Sequence, residues 1–338
     1  MRNGNISKVA CFIGALAIAL AVAFPETAVS GSKTYKWKIG QPYPKDTLQY
    51  ELTEDWIKRI ETASDGRIKI THYPGSLLGD YVAQAEAVAI GSQEITLTWP
   101  TTSVAGPGAD LCSMGYIFGN WKEYTDGMTG WMYDLQKKLY KDIGWEILGS
   151  IPDGFSIVVS TKEYDPMPGP KELKIRLMPT ETVQVRFKEM GFRTLSMPMS
   201  EFVTALSLGT VDAGGNAAWA EAWYNYKDVI KYIYNSRDMT NTMFLIMNKD
   251  LFSSLSDDDK KLISKISHEW TMDNYAAIMK ENIKYRKQLE EFGLKIIDYT
   301  PEQWLENGKI CRAREWPLME EKVGKEIMDI VRNNAVKF

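Results

Sequence analysis

The feature that most constrains the fold is a long segment without proline or glycine in the last third of the sequence. It starts after Ser256, whose hydroxyl suits a helix N-cap, and runs to Gly293. Asp257, Asp258 and Asp259 stand at the positive end of the predicted helix dipole. About 35 helical residues at 1.5 Å each span roughly 50 Å, which exceeds the width of one small domain. We therefore predict a single helix that crosses from one lobe of the protein to another.

The sequence before this helix alternates between strand and helix signals, which is typical of α/β folds. Residues 35–40 (YKWKIG) and 67–73 (RIKITHY) read as strands, and residues 165–170 form a connector with three prolines. Residues 101–119 are rich in glycine and proline and are expected to form a loop. Residues 124–141 are expected to form one helix.

The length of the chain favours two domains, because 338 residues exceed what a single hydrophobic core usually organises. We predict that residues 31–154, together with about 242–285, form a first lobe. Residues 155–241, together with about 286–338, form the second. The long helix then spans both lobes of an α/β fold.

Residues 1–30 have the pattern of a secretory signal peptide. Two basic residues precede an apolar run over residues 9–24, and small residues at 21–23 (AVA) and 28–30 (AVS) offer cleavage sites. About 16 apolar residues fall short of the roughly 20 that a membrane-spanning helix needs. We expect an exported, soluble mature protein with no direct membrane insertion.

Composition excludes several classes of function. The 40 basic and 44 acidic residues are interspersed and give a net charge of −4, which argues against a nucleic-acid partner. His72 and His268 are the only histidines and no close Cys/His cluster exists, so we expect no metal site and no cofactor. A hydrolase would need a G-x-S-x-G elbow, which is absent. Whether Cys112 and Cys311 pair in an oxidising compartment is left open, because geometry decides it.

Several sequence elements occur in an order known from one protein family. They are Pro74–Gly79 (PGSLLG), Lys174–Arg176 (KIR), residues 198–206 (PMSEFVTAL) with Gly209, Val211 and Asp212, then Asn216, and finally Met247–Lys249 (MNK). In this order they resemble the periplasmic solute-binding subunits of tripartite ATP-independent periplasmic (TRAP) transporters, of the dicarboxylate-binding type. The resemblance covers nearly the whole sequence after the signal peptide.

This resemblance implies a two-lobed periplasmic-binding-protein fold and a role in transport, with no enzymatic activity. Its implied partners are a small organic anion and the membrane permease subunits of the transporter. Arg176 corresponds to the arginine that clamps the acid group, and a guanidinium can grip a carboxylate or sulfonate through two parallel hydrogen bonds. The side-chain amide of Asn216 is expected to donate to the second acid oxygen.

Further residues are candidates for lining the cleft. Trp99 ends a predicted strand, where ligands tend to bind in open α/β sheets. Met178 shares a face of its strand with Arg176. The remaining candidates are Phe155, Ser156, Trp219, Tyr43 and Tyr73. For the aromatic residues, a place in the core is an equally good interpretation.

The chain departs from the family pattern at one position. Family members often have a second arginine in a G-F-R segment, whereas here Gly154 and Phe155 are followed by Ser156. We therefore expect a singly charged anion, either an aromatic monocarboxylate or a small sulfonate such as isethionate, rather than a dicarboxylate. A ligand-binding module for an ATP-driven importer or a sensor kinase is the alternative function.

Overall fold

The computed structural model describes residues 33–338 except 101, 141, 168, 179 and 198, and leaves out the side chain of Ser200. The predicted signal peptide lies outside the described residues. None of the helices in the described part of the chain combines the length and the apolar composition that a bilayer span requires.

The first half of the chain alternates between strands and helices, as predicted. In chain order its elements are β1 (Tyr35–Gly40), α1 (Leu48–Ala63), β2 (Ile68–Tyr73), α2 (Tyr81–Ala89), β3 (Ile95–Thr98), α3 (Thr102–Ala105), a 3₁₀-helix (Pro107–Ser113), α4 (Trp121–Met128), α5 (Trp131–Tyr140), β4 (Trp145–Phe155) and β5 (Ile157–Ser160).

The second half continues this alternation and ends in helices. Its elements are β6 (Lys174–Leu177), α6 (Glu181–Glu189), β7 (Arg193–Ser196), α7 (Met199–Ser207), β8 (Ala213–Ala217), α8 (Trp219–Glu221), a π-helical turn (Ala222–Tyr226), β9 (Tyr232–Asn235), β10 (Thr240–Asn248), α9 (Lys249–Ser253), α10 (Asp257–Glu291), β11 (Lys295–Asp298), α11 (Pro301–Val323) and α12 (Lys325–Asn334).

The strands of the described residues form two sheets. The first has the order β2-β1-β3-β10-β4, and the second has the order β11-β9-β5-β8-β6-β7. The chain passes from the first sheet to the second at Ser156, between β4 and β5. Buried side chains form one cluster on each face of each sheet. The predicted two-lobed α/β fold is confirmed, while the assignment of every residue to a lobe stays a prediction.

The predicted long helix is present as α10, with 35 residues. The Ser256 hydroxyl caps it by accepting a hydrogen bond of 3.1 Å from the Asp259 amide. Ile263 and Ile278 belong to a core on the first sheet, whereas Tyr285 belongs to a core on the second. The helix therefore connects the two lobes because its apolar residues are divided between their cores.

Two local predictions are wrong. The expected loop over 101–119 contains α3 and the 3₁₀-helix, and the latter begins at Pro107 because proline is favourable at the first helical position. The single helix expected over 124–141 is two helices, α4 and α5, separated by Thr129 and Gly130. Glycine weakens a helix, so a break at this point is physically reasonable.

The two cysteines of the described residues are free and buried. Cys112 lies in a core on the first sheet and Cys311 in a core on the second. The structure therefore places both residues as thiols within separate apolar clusters, where burial raises the pKa of each.

Gly154 lies at the passage between the two sheets and is expected to tolerate no side chain. Its φ is +106°, and an added Cβ would lie 2.5 Å from Oδ1 of Asn282 on α10. Gly293 has a φ of +102° with no atom within 4 Å of the same position, which makes it a matched control. Both alanine variants carry backbone strain of about 1–3 kcal/mol, and the collision adds about 1–3 kcal/mol for Gly154→Ala alone. Equal urea midpoints of unfolding for Gly154→Ala and Gly293→Ala would refute the expected collision between the added Cβ and Asn282.

Candidate functional site

Arg176 is a buried cation with two unused donor groups. It lies on β6 and is 8% exposed. Its Nε donates to the Met197 carbonyl at 3.0 Å, and its guanidinium lies 5.6 Å from the ring centre of Phe202. Among the described residues, no acceptor binds its Nη atoms and no carboxylate lies within 4.0 Å. Burial lowers the pKa of Arg176, as expected for a charge removed from water.

Asn216 lies on β8, the strand that pairs with β6, where Gly214 is opposite Arg176. Its φ is +61°, a left-handed conformation that asparagine tolerates better than most residues. Its Nδ2 donates to the sulfur of Met239 at 2.7 Å, whereas its buried Oδ1 has no partner among the described residues. The unpartnered atom of Asn216 is therefore an acceptor, whereas the amide group that is expected to donate to the ligand already donates to Met239.

Asp153 is a buried carboxylate surrounded by aromatic donors. Its Oδ1 accepts from the Tyr43 hydroxyl at 3.1 Å and from Gln49 at 3.5 Å, and its Oδ2 accepts from the Trp99 indole at 3.0 Å. The Trp99 ring lies 5.8 Å from that of Tyr43 and 5.5 Å from that of Tyr81. Burial raises the pKa of Asp153 to about 6, although these donors act in the opposite direction.

Glu221 is a second carboxylate in this region. It ends the short helix α8, and its Oε2 accepts from the Ala218 amide at 3.0 Å. Burial raises the pKa of Glu221 to about 7, with a further increase from the charge of Asp153 and a decrease from Arg176. The charges of Asp153 and Arg176 therefore both affect the pKa of Glu221, in opposite directions.

Glu281 on α10 is the third carboxylate, and burial raises its pKa to about 7. The charges of Asp153, Glu221 and Glu281 all raise the pKa of the Tyr43 hydroxyl, in addition to the larger effect of burial. In the described part of the chain, no nitrogen of Lys, Arg or His lies within 4.0 Å of any of them. Arg176 thus acts on Glu221, one of three carboxylates that have no cation within 4.0 Å among the described residues.

Comparison with known proteins identifies the family. Residues 39–307 match the family described as "Bacterial extracellular solute-binding protein, family 7". The chain belongs to this family. The resemblance to TRAP-type solute-binding proteins is thereby confirmed.

Individual relatives of this family 7 protein are distant. A solute-binding protein of Verminephrobacter eiseniae is 25% identical over 251 residues, which cover 72% of this chain and 74% of that protein. The sialic acid-binding periplasmic protein SiaP of Vibrio cholerae is 22% identical and covers 73% of this chain and 78% of its own. A TRAP periplasmic solute-binding protein of Desulfovibrio salexigens superposes with a TM-score of 0.82 at 17% identity, over 89% of this chain and 98% of that one. At such identities the superposition shows a shared fold.

The family 7 structure brings some of the predicted site residues together. Tyr43 and Trp99 share the carboxylate of Asp153. Arg176 and Asn216 lie on paired strands. Their contacts with a ligand stay predictions.

Other predicted residues lie elsewhere or make no contact that defines a site. Phe155 packs edge-on against Trp121 in a core on the first sheet, and Trp219 packs against Arg286 of α10. Ser156 is fully buried and donates to Asp238 at 2.9 Å. Met178 and Tyr73 are half-buried at the ends of β6 and β2. Ligand contacts by these five residues remain untested predictions.

No motif or pattern in the sequence singles out Asp153, Glu221, Glu281 or Tyr81. Acidic residues are frequent in this chain, and most of them occupy solvated surface positions. The available signal was positional, because Asp153 directly precedes the Gly154-Phe155 pair of the family motif.

These raised pKa values predict a pH-dependent stability. Glu221 holds its proton more tightly in the folded state than in the unfolded chain, so its contribution to the free energy of unfolding falls as pH rises from about 4.5 to 7. Glu221→Gln should therefore be more stable than the wild type at pH 8, by on the order of 2 kcal/mol, and this advantage should shrink towards pH 5. Urea titrations at both pH values measure it; a pH-independent difference would contradict it.

Proposed function

We propose that this family 7 protein captures a small organic anion in the periplasm and delivers it to the membrane permease of a TRAP transporter. The observation that carries this proposal is the buried, unpaired guanidinium of Arg176. A buried charge without a partner is costly, and a ligand carboxylate or sulfonate removes that cost through charge-assisted hydrogen bonds.

The relatives support an acidic ligand. The Vibrio cholerae relative is named for binding sialic acid, and the Desulfovibrio salexigens structure contains orotic acid. Both compounds are acids, in agreement with a buried cation at Arg176.

The charges of the cleft favour a ligand with a single acid group. Arg176 offers free donors, whereas a second acid group would meet Asp153, Glu221 or Glu281 and be repelled. Ser156, at the position of the family's second arginine, is engaged with Asp238. An aromatic monocarboxylate or a sulfonate such as isethionate satisfies this condition.

The inferred mechanism is closure of the two lobes about the passages between the sheets. The ligand docks through Arg176 and Asn216 on the second sheet, and the first lobe closes with Tyr43 and Trp99. Micromolar binding requires about 8 kcal/mol, of which a charge-assisted hydrogen bond supplies roughly 1.5–3 kcal/mol. Burial against the aromatic rings and exclusion of water supply the rest.

A thermal-shift screen of the mature protein tests this function. A ligand present at a thousand times its Kd adds about 4 kcal/mol to the folded state and raises the Tm by several degrees. We expect shifts with monocarboxylates or sulfonates and none with neutral sugars. Shifts confined to neutral sugars would overturn the proposal.

A further inference from the structure

The acidic groups of the cleft are more than a simple anion-binding site requires. Asp153 accepts a hydrogen bond from the Tyr43 hydroxyl at 3.1 Å, and the charges of Asp153 and Glu221 both raise the pKa of Tyr43. Glu281 adds a third charge, although Lys284 in the next turn of α10 partly offsets it. If a purely anionic ligand bound to Arg176, the excess negative charge of Asp153 and Glu221 would remain uncompensated within a closed cleft. Buried carboxylates of this kind either take up a proton or need a compensating cation.

The aromatic residues beside Asp153 suit a cation. Trp99 lies between Tyr43 and Tyr81, with centroid distances of 5.8 and 5.5 Å, and it donates its indole N–H to Asp153. The ring faces of tryptophan and tyrosine attract organic cations, and quaternary ammonium groups are recognised by such cages. A carboxylate held against the same rings adds a full opposite charge.

Arg176 provides an independent indication that a ligand binds here. It is 8% exposed, its Nη donors have no acceptor among the described residues, and its charge acts on both Glu221 and Tyr81. The unused anion-binding group therefore lies close to the carboxylates and to the aromatic residues. A ligand that fills both places has opposite charges at its two ends.

We propose that the ligand of this protein is a zwitterion, with one acid group on Arg176 and an organic ammonium or amidinium group between Asp153, Glu221 and the rings of Tyr43 and Trp99. This inference rests on the proposed function, since it assigns the second half of the same site. It narrows the ligand from organic anions in general to amino-acid-like or betaine-like compounds.

A polyhydroxy acid is the competing ligand. Its hydroxyl groups can donate to Asp153 and Glu221, but they bring no positive charge into the cleft. Asp153 already accepts bonds from Tyr43, Trp99 and Gln49, so it lacks a compensating charge rather than donors. The cation therefore accounts for the cleft better than hydroxyl groups do.

Matched probes separate these possibilities. Isothermal titration at pH 7.5 would compare straight-chain carboxylic acids of three to five carbons whose far end is an ammonium, a trimethylammonium, a hydroxyl, a methyl or a second carboxylate group. We expect the best ammonium or trimethylammonium compound to bind at least tenfold more tightly than the hydroxyl and methyl compounds of equal length. Glu221→Gln should reduce this preference at least threefold, and Arg176→Ala should weaken every probe.

The outcomes distinguish the inference from the function. If the hydroxyl, methyl or dicarboxylate probes bind as tightly as the zwitterions and depend on Arg176, the inference is wrong and the proposed function stands. If zwitterions bind equally well to the wild type and to Arg176→Ala, the anion clamp is wrong and both fail. If no probe of any class binds, both are likewise overturned.

Discussion

Arg176→Ala is expected to weaken binding of the acid ligand by roughly 30- to 5,000-fold. Removing one partner of a buried, hydrogen-bonded charge pair costs about 2–5 kcal/mol, and part of this cost comes from leaving the ligand anion unpaired. No carboxylate of the described residues lies within 4.0 Å of Arg176, so the loss should appear almost entirely in ligand affinity. Isothermal titration with the best acid from the thermal-shift screen measures it.

Two further substitutions show whether ligand binding depends on the paired donors of the guanidinium or only on its charge. Arg176→Lys keeps the positive charge without the paired donors and should recover only part of the affinity. Arg176→Met removes a buried, unpaired charge, so the ligand-free protein should melt at the same or a higher temperature than the wild type. Binding by Arg176→Ala within threefold of the wild type would mean that this arginine is no ligand clamp.

The second large effect concerns a buried ion network behind the cleft. Arg186 on α6 is fully buried, with its Nε 3.3 Å from Asp238 Oδ2 and its Nη1 3.6 Å from Glu315 Oε1 on α11. Its Nη2 donates to the Ser113 carbonyl at 3.0 Å. Burial raises the pKa of Glu315 to about 7, while Arg186 lowers it. One guanidinium thus joins α6 to the segment between β9 and β10, to α11 and to the end of the 3₁₀-helix.

Arg186→Met is expected to destabilise the protein by about 3–5 kcal/mol, because it leaves Asp238 and Glu315 buried without a cation. For proteins of about 150–250 residues, each kcal/mol of destabilisation lowers the Tm by roughly 2–4 °C. The Tm should therefore fall by about 6–20 °C. Differential scanning calorimetry at pH 7.5 measures the change.

The matched control is Arg193→Ala, which breaks the exposed pair with Glu172 and should change the free energy of unfolding by less than about 1 kcal/mol. Adding Glu315→Gln to Arg186→Met should recover part of the loss, since one of the two unpaired carboxylates becomes neutral. Equal Tm values for Arg186→Met and Arg193→Ala would contradict the structural role of the network.

The fold could be predicted from the sequence because the patterns that mark its helices and strands are local. Ser256 and the run to Gly293 predict α10 without any tertiary information, and its boundaries are those of the structure within two residues. The division of residues 124–141 into two helices was not predicted, because only Thr129 and Gly130 separate the two helices. Local patterns therefore fix element type more firmly than element boundaries.

The residues of the candidate site could be predicted from the sequence only in part. Arg176 and Asn216 belong to sequence motifs, whereas Asp153, Glu221 and Glu281 come from separate elements that meet only in the folded chain. Phe155 and Trp219 show the converse problem, since an aromatic residue next to a motif can equally pack in a core. The charge balance of the cleft is a tertiary property, and the sequence alone gives no access to it.

The most direct test of the account is a crystal structure of the mature protein with the tightest-binding acid from the screen. We predict that the acid group lies between the two lobes, with both its oxygens within about 3 Å of the Arg176 Nη atoms. The far end of the ligand should contact Trp99 and Asp153. A ligand bound outside this cleft, or one whose acid group faces away from Arg176, would contradict the central claim.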